Sequence, residues 1–517
     1  MKTRYLYLGI ILTYLLSHLW NLSVFPVFSD EAIYIRWSQL ILDDWKQYLF
    51  FAMNDGKTPL FIWLLTPLQL FFSNQLVAGR ILSVAVGLAQ VLVMGQLVKQ
   101  LGGRRQTQFL AMLFSTLLPF WFFSHRVALM DGLLTLFLSL AFWSGLRLVQ
   151  GSQKNLRHAA PLITLTGIFT GLAVWSKLPA IFFVGALPLL SSLPAQLSRE
   201  ERVRRFLYLG VAAGIGIFML LLLRVSPAFG QLFSRSQDFT YSLSEIMVEG
   251  KWTQTLPSFP TYFAYFGQYL TWPVVVLSLA GLFMDTTRRK VAILLLFAVA
   301  FCLPITLLGK VVYPRYLLPG AIFFTLASVL TLQAMHDQIF VLKKAKSMLY
   351  QVMIALLFAA ILGNIFTASA SFTAAFTFAP NATPFVSADR QQYLEEWSSG
   401  HGISEVAAMI KEAAKTRKIA VATEGRFGTL PDGLLLFFHR TNTENIYIEG
   451  TGQYPVKTLP EFFVQRAKLA NQSWLIVNSH RMELPLDESK LIREFCRPNN
   501  APCLQVWDVT DEVKKAP

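Results

Sequence analysis

Cysteine is scarce in this chain, three in 517 residues, and charge is thin: 15% of the residues are Asp, Glu, Lys or Arg, where a soluble domain carries about 25%. Three cysteines exclude a disulfide scaffold, and Cys302 falls inside an apolar run. Cys496 and Cys503, with Pro498 and Asn499-Asn500 between them as turn formers, are left with two open readings: free thiols, or one small loop closed in an oxidising compartment. No Cys/His grouping has zinc-ligand spacing, so no metal site is expected there. No small-x-small cleavage site follows the apolar stretch at residues 6–25, and Asp30-Glu31 comes directly after it. That stretch therefore reads as an uncleaved first span rather than a signal peptide. Internal repeats and low-complexity segments are also missing, which counts against a transporter built on inverted repeats.

What is present is apolar, at 54% of the residues. Runs of roughly 17 to 25 residues recur, each long enough to cross a hydrocarbon core of about 30 Å. Eleven spans are expected, near residues 6–25, 76–98, 107–123, 131–149, 160–176, 178–196, 206–223, 264–284, 291–309, 316–335 and 347–367. The net charge of +15 would suit nucleic acid, but the basic residues fall in alternate short loops: Lys99, Arg104 and Arg105; Arg147, Lys154 and Arg157; Arg199, Arg202, Arg204 and Arg205; Arg288, Arg289 and Lys290; Lys343, Lys344 and Lys346. That is the positive-inside pattern. It makes the partner a lipid bilayer rather than nucleic acid, with the N-terminus in the cytoplasm and the C-terminal region outside the plasma membrane.

The expected organisation is a membrane module over residues 1–379 and an extracytoplasmic α/β domain over 380–517. Two outside loops are long. In the first, residues 26–75, the mixed pattern of Ile33 to Leu42 and Pro59 to Phe72 suggests helices lying in the interface; residues 224–263 are similar. Past about residue 380 the pattern predicts strands near 418–423, 445–449, 474–478 and 504–509 and helices near 403–416 and 459–469. The turn Thr423-Glu424-Gly425-Arg426-Phe427-Gly428 lacks the Gly-Lys-Ser/Thr ending of a phosphate loop and reads as a plain strand-to-loop turn.

Charges at or below the outer surface need a reason, since a charge in hydrocarbon costs several kcal/mol unless paired or wetted. They are Asp30, Glu31, Lys57, Arg80, Arg126, Asp131, Lys177, Lys310 and Arg315. Snorkelling anchors explain some lysines and arginines, but carboxylates snorkel poorly, and two adjacent acids repel unless a cation is near. Carboxylates and fixed cations together suit a site that stabilises a phosphate leaving group while a carboxylate removes a proton.

The order Ser29-Asp30-Glu31, Gly56-Lys57-Thr58-Pro59-Leu60, Arg80-Ile81-Leu82-Ser83, Arg126-Val127-Ala128-Leu129-Met130-Asp131, Gly171 to Pro179 and Arg315-Tyr316-Leu317-Leu318-Pro319 resembles the GT-C membrane glycosyltransferases of the protein O-mannosyltransferase and aminoarabinose-transferase type. Thr58 stands where the family commonly has proline, and Leu178 where it has glycine. The resemblance implies transfer of a sugar from a polyprenyl-phosphate donor to a protein, lipid or glycan acceptor, with inversion. It implies Asp30 as general base with Glu31 positioning it, Lys57 with Arg315 and Tyr316 on the donor phosphate, and Arg80, Arg126, Asp131 and Lys177 shaping the pocket. No cofactor is expected; a divalent ion on Asp30 and Glu31 is the alternative. A lipid A or cell-wall lipid transferase is the rival enzyme. A transporter, or a binding module of residues 380–517 on a helical anchor, are the rivals of other classes.

Overall fold

The structure, a computed structural model, describes residues 2–151, 156–194, 196–342, 348–441 and 443–516. Lys154, Lys343, Lys344 and Lys346 lie outside them. The chain is a multi-pass membrane protein. Its described residues include seven helices long and apolar enough to cross a bilayer: Gln75–Gln100, Met130–Gln150, Leu156–Ser176, Arg199–Val225, Arg288–Leu308, Pro314–Gln338 and Ala355–Phe378. An eighth arises if the pair Trp252–Tyr269 and Trp272–Phe283, bent by 107°, counts as one span. Helices suit this setting because each satisfies its own backbone hydrogen bonds where no water can.

Four of the eleven expected runs fall outside these seven helices: residues 6–25 carry the helix Lys2–Leu19, and the other three are interrupted, two of them at proline. Residues 107–123 form not one helix but Arg105–Leu117 and Pro119–Ser124. Pro119 has no amide hydrogen and pushes Leu118 to extended backbone at ψ 136, as the residue before a proline usually is. Within 178–196 the helix Ala180–Ala186 tightens at Pro188 into a 3-10 turn ending at Ser192. The bend near residue 271 comes from Thr271 at φ 69, just before Trp272-Pro273.

The described chain falls into two compact units. The first comprises Met1–Trp20, Leu49–Phe61 and Ile81–Ala375. Helix Pro314–Gln338 is almost wholly enclosed by its neighbours, with 94% of its apolar window buried. Helices Leu156–Ser176 and Arg199–Leu222 approach closely through Gly167, Gly171 and Gly216, where an added Cβ would sit 2.6 Å from Ile215, 2.2 Å from Met219 and 2.7 Å from Thr170. Small residues at such spacing let two membrane helices bring their backbones together.

The second unit comprises Asn21–Tyr48, Ile62–Arg80 and Phe376–Pro517. A short antiparallel pair joins β1 (Val27–Phe28) to β2 (Ser399–Gly400). The main sheet holds β3 (Ile419–Thr423), β4 (Ile446–Gly450), β5 (Gln472–Asn478), β6 (Leu491–Phe495) and β7 (Leu504–Asp508), in the order β4-β3-β5-β7-β6. Strands β3, β4 and β5 are parallel, and β7 runs antiparallel to both β5 and β6. The buried β3 carries five apolar or small residues in a row, as a central parallel strand does. The sequence pattern misses β6, an edge strand whose middle residues Ile492, Arg493 and Glu494 are exposed, because no alternating apolar face marks it. Cys496 and Cys503 are joined in a disulfide.

Helix Ser29–Asp43 buries Ile33, Ile35 and Ile41 within this unit and is tied to it by Gln39, which donates to the Leu436 carbonyl at 3.1 Å. Beside it, burial raises the Asp432 carboxyl to about 6, against the pull of the Gly428 amide and Arg36. A carboxyl raised on folding binds more protons folded than unfolded. Its contribution is complete below about pH 4 and is lost as pH climbs through about 6, a swing of up to about 3 kcal/mol. Thermal melts from about pH 4 to about pH 7 are therefore expected to show a decline that Asp432→Asn removes; an identical decline in the variant would refute the assignment.

Candidate active site

The first unit encloses a cavity of about 410 Å³ whose lining includes Lys57, Asp131, Lys177 and Tyr316, a volume in the range of small-molecule sites. Four separate segments deliver them. The 3-10 helix Phe51–Asp55 ends on Gly56 at φ 70, and Lys57 follows, its amide donating to the Ala52 carbonyl at 3.1 Å. Asp131 stands in the first turn of Met130–Gln150, where the positive end of the helix dipole favours an acid. Lys177 follows the last turn of Leu156–Ser176, its amide bonded to the Ala173 carbonyl. Tyr316 belongs to the turn Pro314–Leu317.

These groups touch in sequence. Lys177 Nζ donates to Asp131 Oδ1 at 2.6 Å, with the carboxylate side chain 6% exposed. The same ammonium lies 4.4 Å from the centre of the Tyr316 ring, within cation-π range. Arg315 is buried, and its guanidinium lies 5.3 Å from the centre of the same Tyr316 ring. Lys57 Nζ lies 5.6 Å from the Phe239 ring. The remaining wall is largely apolar, with Ile181, Phe182, Phe233 and Leu308 among its residues beside Thr58 and Thr240. The arrangement can take an anionic head beside two ammonium groups and an apolar tail along the wall.

Arg235 and Asp55, which sequence reasoning passes over, fasten the turn that precedes Lys57. Arg235 bonds Asp55 at 3.0 Å and Asp238 at 2.9 Å, and its Cβ would lie 2.7 Å from a Cβ on Gly56. The signal available in the sequence is the glycine directly before Lys57. Gly56→Ala meets both that contact and a left-handed backbone that costs roughly 1–2 kcal/mol for other residues. A lowered melting temperature is the expected result, and unchanged stability would show that the loop shifts freely.

The other expected site residues are placed as follows. Arg126 donates to the Ser17 and Trp20 carbonyls at 2.9 and 2.7 Å and so caps the end of helix Lys2–Leu19, at a position where a cation complements the helix dipole; it is not among the residues lining the cavity. Asp30, Glu31 and Arg80 belong to the second unit. Asp30 is half-buried in the first turn of Ser29–Asp43. Glu31 and Arg80 form a pair with both side chains fully buried: Nε to Oε1 at 3.0 Å and Nη2 to Oε2 at 2.9 Å. Glu31 Oε2 also accepts from the Phe28 amide, closing the start of the helix. A divalent ion shared by Asp30 and Glu31 would have to compete with this arginine. Among the described residues, the three side chains close enough together for a metal are Glu494, Cys496 and Cys503, and the two sulfurs are already joined to each other.

Residues 44–239 match the family described as dolichyl-phosphate-mannose-protein mannosyltransferase. No curated protein matches the chain. Among solved structures, ArnT from Cupriavidus metallidurans bound to undecaprenyl phosphate is 14% identical, with a TM-score of 0.58, covering 98% of each chain. The oligosaccharyltransferase AglB from Archaeoglobus fulgidus, in complex with an inhibitory peptide and a dolichol-phosphate, is 11% identical with a TM-score of 0.53, covering 92% of this chain and 69% of that one. The chain therefore has the fold of the GT-C membrane glycosyltransferases and resembles their protein O-mannosyltransferase and ArnT members.

Proposed function

We propose that this chain transfers a sugar from a polyprenyl-phosphate donor to an acceptor at the outer face of the plasma membrane, the C-terminal region lying on that face. The observation that carries the reading is the cavity in which Lys57 and Lys177 stand beside a largely apolar wall. A phosphate with a long hydrocarbon tail fits such a lining. The matching family and the polyprenyl phosphates bound by the two related structures support the same donor class.

In this reading the donor phosphate sits against Lys57 and Lys177, with Arg315 and Tyr316 supporting. An acceptor hydroxyl or amine attacks the anomeric carbon from the face opposite the phosphate. The bond from that carbon to the phosphate oxygen breaks, and the electron pair leaves with the polyprenyl phosphate, whose growing charge the ammonium groups stabilise. The acceptor's proton goes to a carboxylate, which the resemblance assigns to Asp30. Asp131 holds Lys177 in place through the 2.6 Å contact of their side chains. A lipid A or cell-wall lipid as acceptor is the second reading, and the family match to a protein mannosyltransferase is the observation that ranks it second.

Purified protein given radiolabelled polyprenyl-phosphate mannose and membrane extract is expected to label an acceptor. Asp30→Asn is expected to lower the rate by about 10²–10⁴-fold. Equal labelling by Asp30→Asn would remove Asp30 as the base, and no labelling from any polyprenyl-phosphate sugar would remove the reaction.

A further inference from the structure

The C-terminal sheet carries a second constellation, at the carboxyl ends of its parallel strands. In the order β4-β3-β5-β7-β6, the chain leaves β3 toward β4 on one side and leaves β5 toward β6 on the other. Between two such strands the connections diverge and a crevice opens, the place where open α/β sheets bind ligands. Here the crevice lies between the end of β3 and the end of β5, and the Glu424 turn stands at it.

The crevice is built of buried polar groups. Glu424, 3% exposed, follows β3 and accepts from the Asn478 amide at 2.9 Å, from Asn478 Nδ2 at 2.7 Å and from Arg481 Nη1 at 3.1 Å. Its charge is thus met from within the protein. Asn478 Oδ1 and Thr423 Oγ1, both buried at these strand ends, have no hydrogen-bond partner among the described residues. An orphaned buried acceptor is uncommon in a native fold and asks for a reason.

The rim is aromatic and basic. The Arg481 guanidinium lies 4.6 Å from the Trp397 ring and 5.7 Å from the Tyr454 ring. Tyr454 is 69% exposed. Arg426 is exposed on the loop after β3. That loop is fastened to the one after β4 by Gly425 donating to Gln453 and Gly452 donating to Gly425. Gly425 and Gly452 take φ of 68 and 73, and a Cβ on Gly452 would lie 2.5 Å from Arg426 Nε. Tyr454 and Arg426 are therefore presented from a fixed frame, which lowers the ordering cost of binding.

We infer that this crevice binds an anionic saccharide, a sugar phosphate or a uronic acid. The apolar face of the sugar ring stacks on Tyr454, its hydroxyls donate to Asn478 Oδ1, and its anion pairs with Arg426 and the outer edge of Arg481. A few convergent polar groups beside exposed aromatic surface are what small-ligand sites present, and an arginine fork matches a phosphate or carboxylate. The inference goes beyond the transfer reaction and does not depend on it.

The test is saturation-transfer NMR on the full chain in detergent, carried in a Lys57→Ala background so that the membrane cavity contributes little. The probes are glucose 1-phosphate, glucuronate, glucose and inorganic phosphate. Glucose 1-phosphate or glucuronate is expected to bind saturably and more tightly than glucose, and whichever binds tells the two anions apart. Arg426→Ala and Tyr454→Ala, both at exposed positions that leave the Glu424 network intact, are each expected to weaken binding by about tenfold. Absence of saturation transfer to every probe overturns the inference. So does binding by both variants as tight as by the parent chain, or inorganic phosphate binding as tightly as the sugar phosphate, which would mark a plain anion site.

Discussion

Glu31→Ala is expected to destabilise the folded chain by about 3–5 kcal/mol, the usual consequence of removing one partner from a buried ion pair. Arg80 would keep its charge with no anion beside it. Its Nη1 donates to the Leu22 and Phe25 carbonyls and its Nη2 to Pro26, and three neutral acceptors do not replace a bidentate carboxylate. The Phe28 amide would lose its acceptor as well. Thermal unfolding in detergent reads the effect as a fall in melting temperature, accompanied by poor recovery from membranes. A double variant, Glu31→Leu with Arg80→Met, is expected to regain most of the loss, because apolar side chains of similar volume avoid the desolvation penalty of both ions. A single variant as stable as the wild type would show that water reaches the pair.

Lys57→Ala is expected to leave stability nearly unchanged and to lower sugar transfer by about 10²–10³-fold, the loss typical of removing one preorganised group that meets developing charge. Lys57 is half-buried and faces the cavity, so its truncation empties space beside the Phe239 ring without leaving a buried carboxylate behind among the described residues. The kinetic form of the loss carries information. A fall in kcat together with kcat/KM places the interaction in the transition state, whereas a rise in KM alone assigns Lys57 to uniform donor binding. Full activity in Lys57→Ala would separate this cavity from the reaction.

Much of this was legible because the setting is so apolar. Asp131 and Lys177 sit in short turns between hydrophobic runs and Lys57 in a long outside loop, and a membrane chain keeps few charges in such places without a use for them; Tyr316 came only through the family resemblance. Partnership was not legible. Nothing in the order of residues says that Lys177 pairs with Asp131 rather than freeing it for Lys57, or that Arg80 reaches back 49 positions to Glu31. Arg126 was assigned to the pocket as an outer-surface charge and through the family resemblance, and its guanidinium turns to the end of the first helix. The span pattern suffered from a different blindness. Hydropathy averages over about 19 residues and does not register Pro119 or Thr271, where the helices break. The strands β3, β4, β5 and β7 announced themselves by apolar runs between turn formers, while β6 with its charged face did not.

The pairing of Asp131 with Lys177 bears on how the chain enters its membrane. Met130–Gln150 and Leu156–Ser176 are consecutive helices, one starting with the acid and the other followed by the base. A lone charge weighs against insertion by up to about 2.5–3.5 kcal/mol at the helix centre and by less at a helix end, where these two stand. Once both helices have emerged from the ribosome, the two charges meet at the same end of a single hairpin and neutralise each other. Biosynthesis can then deliver a site charge to the bilayer as half of a neutral unit, before Tyr316 and the rest of the cavity wall have been translated.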